Sequence, residues 1–218
     1  MPGHPLPAFD SLAFDGASID GSLFTSVTDF ARDTRWLNTP LDLWTNAGLG
    51  VFAILMAVGW WRARRRDDRS MTLALAAPVA VVFAFAVAEA VKKFVAEVRP
   101  CYSLPHDYFV SACPAPTDYA FPSGHTTVAF GTVAALWLLE RRLAWIAALF
   151  GVFEAFTRVY LGDHYPHDVL GAAVLAVPVA LVVSAVCGRL AVAPVARLRT
   201  GVLQPVLTAP TPAHAAAR

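Results

Sequence analysis

Five apolar blocks bounded by charge constrain this chain more than any other feature: residues 41–61, 71–91, 122–139, 143–161 and 169–190. Blocks of roughly 18 or more residues with few charges mark helices that cross a bilayer. The shortest, 122–139, would rise about 27 Å as a helix. Composition agrees: 15% of residues are charged and 57% hydrophobic, with a mean hydropathy of +0.54, whereas soluble domains carry roughly 25% charged residues. The expected fold class is all-α, an integral membrane bundle of about five transmembrane helices. A disordered chain, a small disulfide-stapled secreted domain and a coiled coil are excluded. A net charge of +1 leaves no nucleic-acid footprint, and three cysteines are too few for a metal-cluster framework.

Orientation follows from Lys and Arg, which accumulate in cytoplasmic loops. Arg62, Arg64, Arg65, Arg66 and Arg69 follow the first block, Arg141 and Arg142 the third, and Arg189, Arg197, Arg199 and Arg218 the fifth. One side therefore holds eleven of the seventeen cations, which places the N-terminus outside the plasma membrane and the C-terminus in the cytoplasm. The first 35 residues lack the basic and apolar regions of a signal peptide and are acidic, with Asp10, Asp15, Asp20, Asp29 and Asp33. Leu23, Phe24, Val27, Phe30 and Ala31 recur at helical spacing. Residues 1–36 thus read as an extracytoplasmic tail with an interfacial amphipathic helix. Residues 37–190 read as the transmembrane domain, and 191–218 as a disordered cytoplasmic tail, rich in Ala, Pro and Thr toward its end.

Cys101 and Cys113 stand twelve positions apart in the longest outer loop, 100–121, on the oxidising side where a bridge is expected. Cys187, inside the last block, reads as a small buried apolar residue.

The chemistry lies at the outer ends of the blocks. Lys92 and Arg99 are seven apart, two helical turns, which places both cations on one helix face, with Pro100 as the stop. Ser123 and Gly124 follow Pro122 and open the third block, so free backbone N–H groups and the positive helix end face outward at the same level. Arg158 ends the fourth block, and its guanidinium matches phosphate oxygens bidentately. Three cationic or donor elements converge on one small anion. His164 and Asp168 are four apart; the carboxylate can fix the imidazole tautomer and leave the other nitrogen free to attack. His125, beside the anion-cradling turn, can protonate a leaving group.

Lys92-x6-Arg99-Pro100, Pro122-Ser123-Gly124-His125 and Arg158-x5-His164-x3-Asp168 resemble the three signature motifs of the type 2 phosphatidic acid phosphatase family. Within it the chain looks like the membrane lipid phosphatases, among them bacterial undecaprenyl-diphosphate phosphatases. The resemblance implies a helical bundle and metal-independent hydrolysis of a phosphate ester or anhydride through a phosphohistidine, with no cofactor. By the same resemblance His164 is the nucleophile, Asp168 its orienting partner and His125 the acid. Lys92, Arg99, Ser123, Gly124 and Arg158 would then hold phosphate oxygens. The family usually has Ser before the third-motif Arg; here Thr157 keeps the hydroxyl. The soluble vanadium haloperoxidases share the motifs but lack five apolar spans.

Neighbouring carboxylates are expected to pair with the motif cations, with a proton role in catalysis the open alternative: Glu154 lies one turn before Arg158, and Glu89 three before Lys92. Asp163, His167 and His106 are expected to be solvated at the mouth. The expected partners are the bilayer and a lipid phosphate, foremost a polyprenyl diphosphate, with phosphatidic acid, phosphatidylglycerol phosphate and prenyl phosphosugars open. No obligatory protein partner is evident. A Ser123, His164, Asp168 protease leaves Lys92, Arg99 and Arg158 without a role. A non-enzymatic anion binder or transporter leaves the paired histidines without one, and a transporter would show repeated halves.

Overall fold

The computed structural model describes residues 14–209. Ten helices account for about three quarters of them: α1 (Ala17–Asp33), α2 (Arg35–Ala47), α3 (Leu49–Ala63), α4 (Asp68–Val95), α5 (Pro100–Ser103), α6 (Gly124–Leu139), α7 (Arg141–Tyr160), α8 (Pro166–Leu190), α9 (Val192–Thr200) and α10 (Gln204–Leu207). Among the described residues there is one isolated bridge, Phe14 to Glu97, and no sheet. The all-α expectation holds.

The bundle core is α4, α6, α7 and α8, with α6 packed against each of the other three. Small side chains let the backbones approach, as in membrane helix interfaces generally: Ala77 and Ala80 of α4 meet Ala134 and Ala135 of α6 and Ala180 of α8. The outer faces are the reverse, with Val82, Leu149, Val152, Val174 and Val182 all more than half exposed, a surface suited to lipid. Among the described residues three helices, α4, α7 and α8, are each long and apolar enough to cross a membrane.

The other two expected spans differ from simple rods. The first block is divided between α2 and α3, bent by 43° at Gly48. Thr45 of α2 is tied to α7, where its hydroxyl donates to Glu154 Oε1 at 3.1 Å and accepts from Arg158 Nη1 at 2.9 Å. Trp44 packs on Phe150 and Phe153 of the same helix. These contacts draw α2 out of line with α3, and glycine, the weakest ordinary helix former, sits at the break. Helix α6 has 16 residues, about 24 Å, and is shorter than the roughly 30 Å hydrocarbon layer.

Alternation of the four core helices gathers the C-terminal ends of α4 and α7 and the N-terminal ends of α6 and α8 at one end of the bundle. The opposite end carries Arg62 and Arg66 on Glu140. It also corrects the expected disordered tail over residues 192–207. Here α9 and α10 fold back, Arg199 Nη1 reaches Asp68 Oδ1 at 2.9 Å, its Nη2 donates to the Arg66 carbonyl at 2.9 Å, and Val195 and Leu207 are buried in the main apolar cluster. Residues 210–218 of that tail and the first 13 residues, with Asp10, lie outside the described residues.

Helix α1 is broken at Asp20 (φ −144°, ψ 25°). It buries Phe24, Thr28 and Ala31 against α7 and α8, while Leu23 and Phe30, two of the residues at helical spacing, remain about half exposed.

Candidate active site

Each of the four converging helix ends is fixed by local chemistry. Helix α4 stops at Val95, four residues earlier than expected. Ala96 adopts the left-handed conformation (φ 51°), with its N–H on the Lys92 carbonyl. The chain then reverses, and Glu97 and Val98 are held by neighbouring backbone: Ala120 N–H donates to the Glu97 carbonyl and Val98 N–H to the Phe14 carbonyl. Arg99 is therefore extended (φ −62°, ψ 146°), not on the helix with Lys92. The reversal, and not helical periodicity, brings the two cations to one cavity.

At the start of α6, Ser123 is the N-cap: its Oγ accepts from Thr126 N–H at 3.5 Å and from the Thr126 hydroxyl at 3.1 Å. Fully buried, it does not line the cavity, which instead meets Gly124 and His125. Helix α7 runs into a turn where Gly162 takes φ +87°, a conformation that suits glycine. Asp163 and His164 follow, both with their N–H on the Arg158 carbonyl. Pro166 opens α8, and Asp168 Oδ2 accepts the Tyr165 N–H at 2.8 Å, a reciprocal cap.

The cavity so formed holds about 330 Å³ and is lined by Lys92, Arg99, His125, Arg158 and His164 together with Glu89, Asp118 and the apolar Leu49, Phe85 and Val128. His164 is 2% exposed and Asp168 fully buried. His164 Nδ1 lies 3.3 Å from Asp168 Oδ2, and Nε2 lies 3.0 Å from Arg99 Nη1. With the proton on Nδ1, the ring donates to the carboxylate and Nε2, at the cavity wall, accepts from the Arg99 guanidinium, which a bound phosphate would have to draw away to expose the lone pair. Burial holds the His164 imidazole well below the usual histidine range, and the cations Arg99, Arg158 and Lys92 push the same way. A neutral nucleophilic nitrogen is the result.

Arg158 Nη2 pairs with Asp163 Oδ2 at 3.1 Å. Asp163, expected to be solvated, is 8% exposed and also accepts from the Ser111 hydroxyl at 3.0 Å. An arginine at that depth needs a counter-charge more than the carboxylate needs water. Glu154 reaches Arg158 only through Thr45. Glu89 pairs with Lys92 at 3.2 Å, as the spacing predicts. His106 is exposed. Cys101 and Cys113 are joined by a disulfide, Cα to Cα 6.0 Å, and Cys187 is half-buried and free.

Residues 72–190, more than half of the chain, match the PAP2 superfamily. The chain belongs to the PAP2 superfamily. It is a multi-pass membrane protein, and the three motifs all fall within the matched segment. Two curated relatives are the undecaprenyl-diphosphatase BcrC of Bacillus subtilis, 41% identical over 64 residues, and an undecaprenyl-diphosphatase of Sulfolobus acidocaldarius, 30% identical over 103 residues. The matches take in 29% and 47% of this chain and 33% and 49% of those proteins, so the chain spans about a third and a half of their lengths. Among solved structures, the transmembrane PAP2 type phosphatidylglycerolphosphate phosphatase from Bacillus subtilis superposes with a TM-score of 0.58 at 21% identity, over 78% of this chain and 87% of that one. At that identity the likeness shows the fold.

Sequence reasoning missed three neighbours of the PAP2 motifs. Asp118 sits on Arg99 Nη2 at 3.0 Å and on Lys92 Nζ at 3.7 Å, and its carbonyl accepts from Arg99 Nε at 2.9 Å. Thr45 bridges Glu154 and Arg158. Glu97, 1% exposed, lies against His167, which is paired instead of solvated. None has a motif spacing; each is delivered by a turn or by a helix remote in sequence.

Proposed function

We propose that this chain is a membrane lipid phosphatase that works through a phosphohistidine at His164, with a polyprenyl diphosphate such as undecaprenyl or decaprenyl diphosphate as substrate. The observation that carries this reading is the His164 geometry: one ring nitrogen faces Asp168 and the other faces a cavity with three cations and a second histidine. The names of the two undecaprenyl-diphosphatase relatives support the substrate class.

In this reading Lys92, Arg99, Arg158 and the Gly124 end of α6 bind the phosphate oxygens and stabilise the charge that spreads over them in the transition state. His164 Nε2 attacks phosphorus as the bond to the leaving oxygen breaks, and His125 donates a proton to that oxygen. Water then attacks the phosphohistidine with His125 as base. Orthophosphate leaves, and His164 regains its lone pair. Ser123 contributes by capping α6 and holding its first turn in place. The lining suits a lipid substrate, because Leu49, Phe85 and Val128 form an apolar wall beside the cations along which a prenyl chain can lie.

The same reading places five membrane crossings, with α2 and α3 as one bent span. The site then faces the extracytoplasmic side of the plasma membrane, a direction supported by the ten arginines from Arg62 to Arg199 that the described residues carry at the opposite end, and α1 lies at the outer interface. The test is phosphate release by purified full-length protein from a panel of polyprenyl diphosphate, phosphatidic acid and phosphatidylglycerol phosphate, with and without chelator. Preference for the diphosphate, unchanged by chelator, is expected. Preference for either monoester reassigns the substrate, and loss of activity with chelator contradicts phosphate binding by the chain's own cations alone.

A further inference from the structure

Behind the catalytic cavity, on the far side of Asp168, three segments remote in sequence meet at one ring. Asp20 comes from the break in α1, Glu97 from the turn after α4, and His167 from the first turn of α8. Asp20 grips His167 twice: its Oδ2 accepts the backbone N–H at 2.7 Å, and its Oδ1 faces ring Nδ1 at 2.8 Å. A side chain of α1 thus caps the N-terminus of α8, satisfying a donor that the helix itself leaves open. The other ring nitrogen, Nε2, faces Glu97 Oε1 at 2.8 Å and lies 3.5 Å from Asp168 Oδ1.

The stoichiometry of donors is decisive. An ionised carboxylate only accepts hydrogen bonds, so a ring held between two of them donates from both nitrogens and carries a positive charge. Among the described residues none of Asp20, Glu97 and Asp168 pairs with a lysine or arginine. Asp168 Oδ1 and Glu97 Oε2 are buried without a hydrogen-bond partner. Buried carboxylates in that position need a counter-charge, and the His167 ring supplies it. The ring also stacks on Tyr165, at 5.5 Å and 14°, and on Phe121, at 6.2 Å and 22°, which joins it to the segment leading into Ser123. Gly16 lies directly over the cluster: a Cβ there would collide with Glu97 Oε1 and come within 2.7 Å of His167 Cε1. The N-terminal segment therefore closes against the ring, with room for glycine alone.

We infer that His167, clamped as an imidazolium between Asp20 and Glu97, is a positioning residue that neutralises and orients Asp168 from behind and makes the N-terminal helix part of the catalytic apparatus. The inference rests on the reading of His164 as nucleophile. Asp168 has Oδ2 toward His164 Nδ1, held there by the Tyr165 N–H, and Oδ1 toward His167; removing the rear charge leaves a buried carboxylate without a counter-charge, which weakens its ionised form as the partner of His164. The loss falls on the chemical step and leaves phosphate binding in the cavity alone. A divalent ion held by Glu97, His167 and Asp168, whose donor atoms lie within 4.8 Å of one another, is the competing occupant of the same place.

Two measurements on the full-length protein in micelles decide the matter. Nitrogen-15 histidine spectra, with His167 assigned by its loss in His167→Gln, are expected to show a ring protonated at both nitrogens at neutral pH, and Glu97→Gln should abolish that signature. In steady-state assays with a polyprenyl diphosphate, Glu97→Gln, Asp20→Asn and His167→Gln should each lower kcat about tenfold, the scale of a slightly misplaced catalytic group, with KM unchanged. A neutral or metal-bound His167 ring overturns the inference, as does unchanged kcat in Glu97→Gln. Variants that lose only thermal stability at wild-type kcat also overturn it. If the wild-type protein hydrolyses none of the substrate panel, the functional reading fails by itself, and the ring spectrum still decides the clamp.

Discussion

Asp118 holds the two cations that the proposed mechanism assigns to phosphate, with its carboxylate on Arg99 Nη2 at 3.0 Å and Lys92 Nζ at 3.7 Å. In that mechanism substrate and orthophosphate displace it, so replacing Asp118 by Asn should tighten anion binding. Each contact corresponds to about 5 kcal/mol of gross attraction at an effective dielectric near 20. The Asp118 side chain is 47% exposed, however, and exposed pairs of this kind contribute only about 0.2–1 kcal/mol each once desolvation and ordering are counted. Two such contacts place the displacement at about 1 kcal/mol, a factor of about five in affinity. Asn retains an oxygen for Arg99 and removes the charge. The assay is inhibition of purified enzyme by orthophosphate and vanadate, where the Asp118→Asn inhibition constants should fall about fivefold. Unchanged or higher constants would show that the carboxylate organises Arg99 and does not compete with the substrate.

Three further outcomes are expected. Replacing both Cys101 and Cys113 by Ser should cost about 3 kcal/mol on the chain-entropy account of a loop of this length, read as a lower thermal midpoint; an unchanged midpoint would remove the bridge from the energetics of the loop. Because the His164 ring is held well below the usual histidine range, the nucleophile stays unprotonated as pH falls through 6.5, and kcat/KM should show no acid limb at that pH from His164. Arg99→Gln removes a cation that pushes the ring down, so its acid limb should move to higher pH, and a limb that stays put or moves lower contradicts the electrostatic account. Single cysteines at Ser103 and Arg65, in a background without native cysteines, should label with an impermeant thiol reagent in intact cells at 103 and not at 65; the reverse pattern inverts the topology.

The legible part of the site was the part carried by short spacing: Pro122 to His125 along one turn, and His164 to Asp168 along the next. Arg99 shares the cavity with Lys92 by a route the spacing does not show, because a seven-residue interval reads as two helical turns, while the left-handed Ala96 and the backbone pairing of Glu97 and Val98 replace those turns by a reversal. Asp20 reads only as one of several acids in an extracytoplasmic tail, since an acidic tail carries no periodicity that singles out the one reaching His167. Thr45 lay inside an apolar block, where only the bend at Gly48 shows why a hydroxyl belongs there. The tail over residues 192–207 has the composition of a flexible segment, but Arg199 finds Asp68 and the open carbonyls beside it, a tertiary pairing that no local window contains.

The central claim is that phosphate passes through His164, and the most direct measurement is to trap it there. Rapid acid-free quenching of the full-length enzyme during turnover of a phosphorus-labelled diphosphate, followed by peptide mapping at alkaline pH, should find one phosphorylated residue, His164, modified at Nε2 and absent in His164→Ala. In His125→Ala the same phosphoenzyme should accumulate, because hydrolysis of the intermediate slows. Label on His125 or Ser123, or turnover with no phosphoenzyme in either protein, would contradict the account.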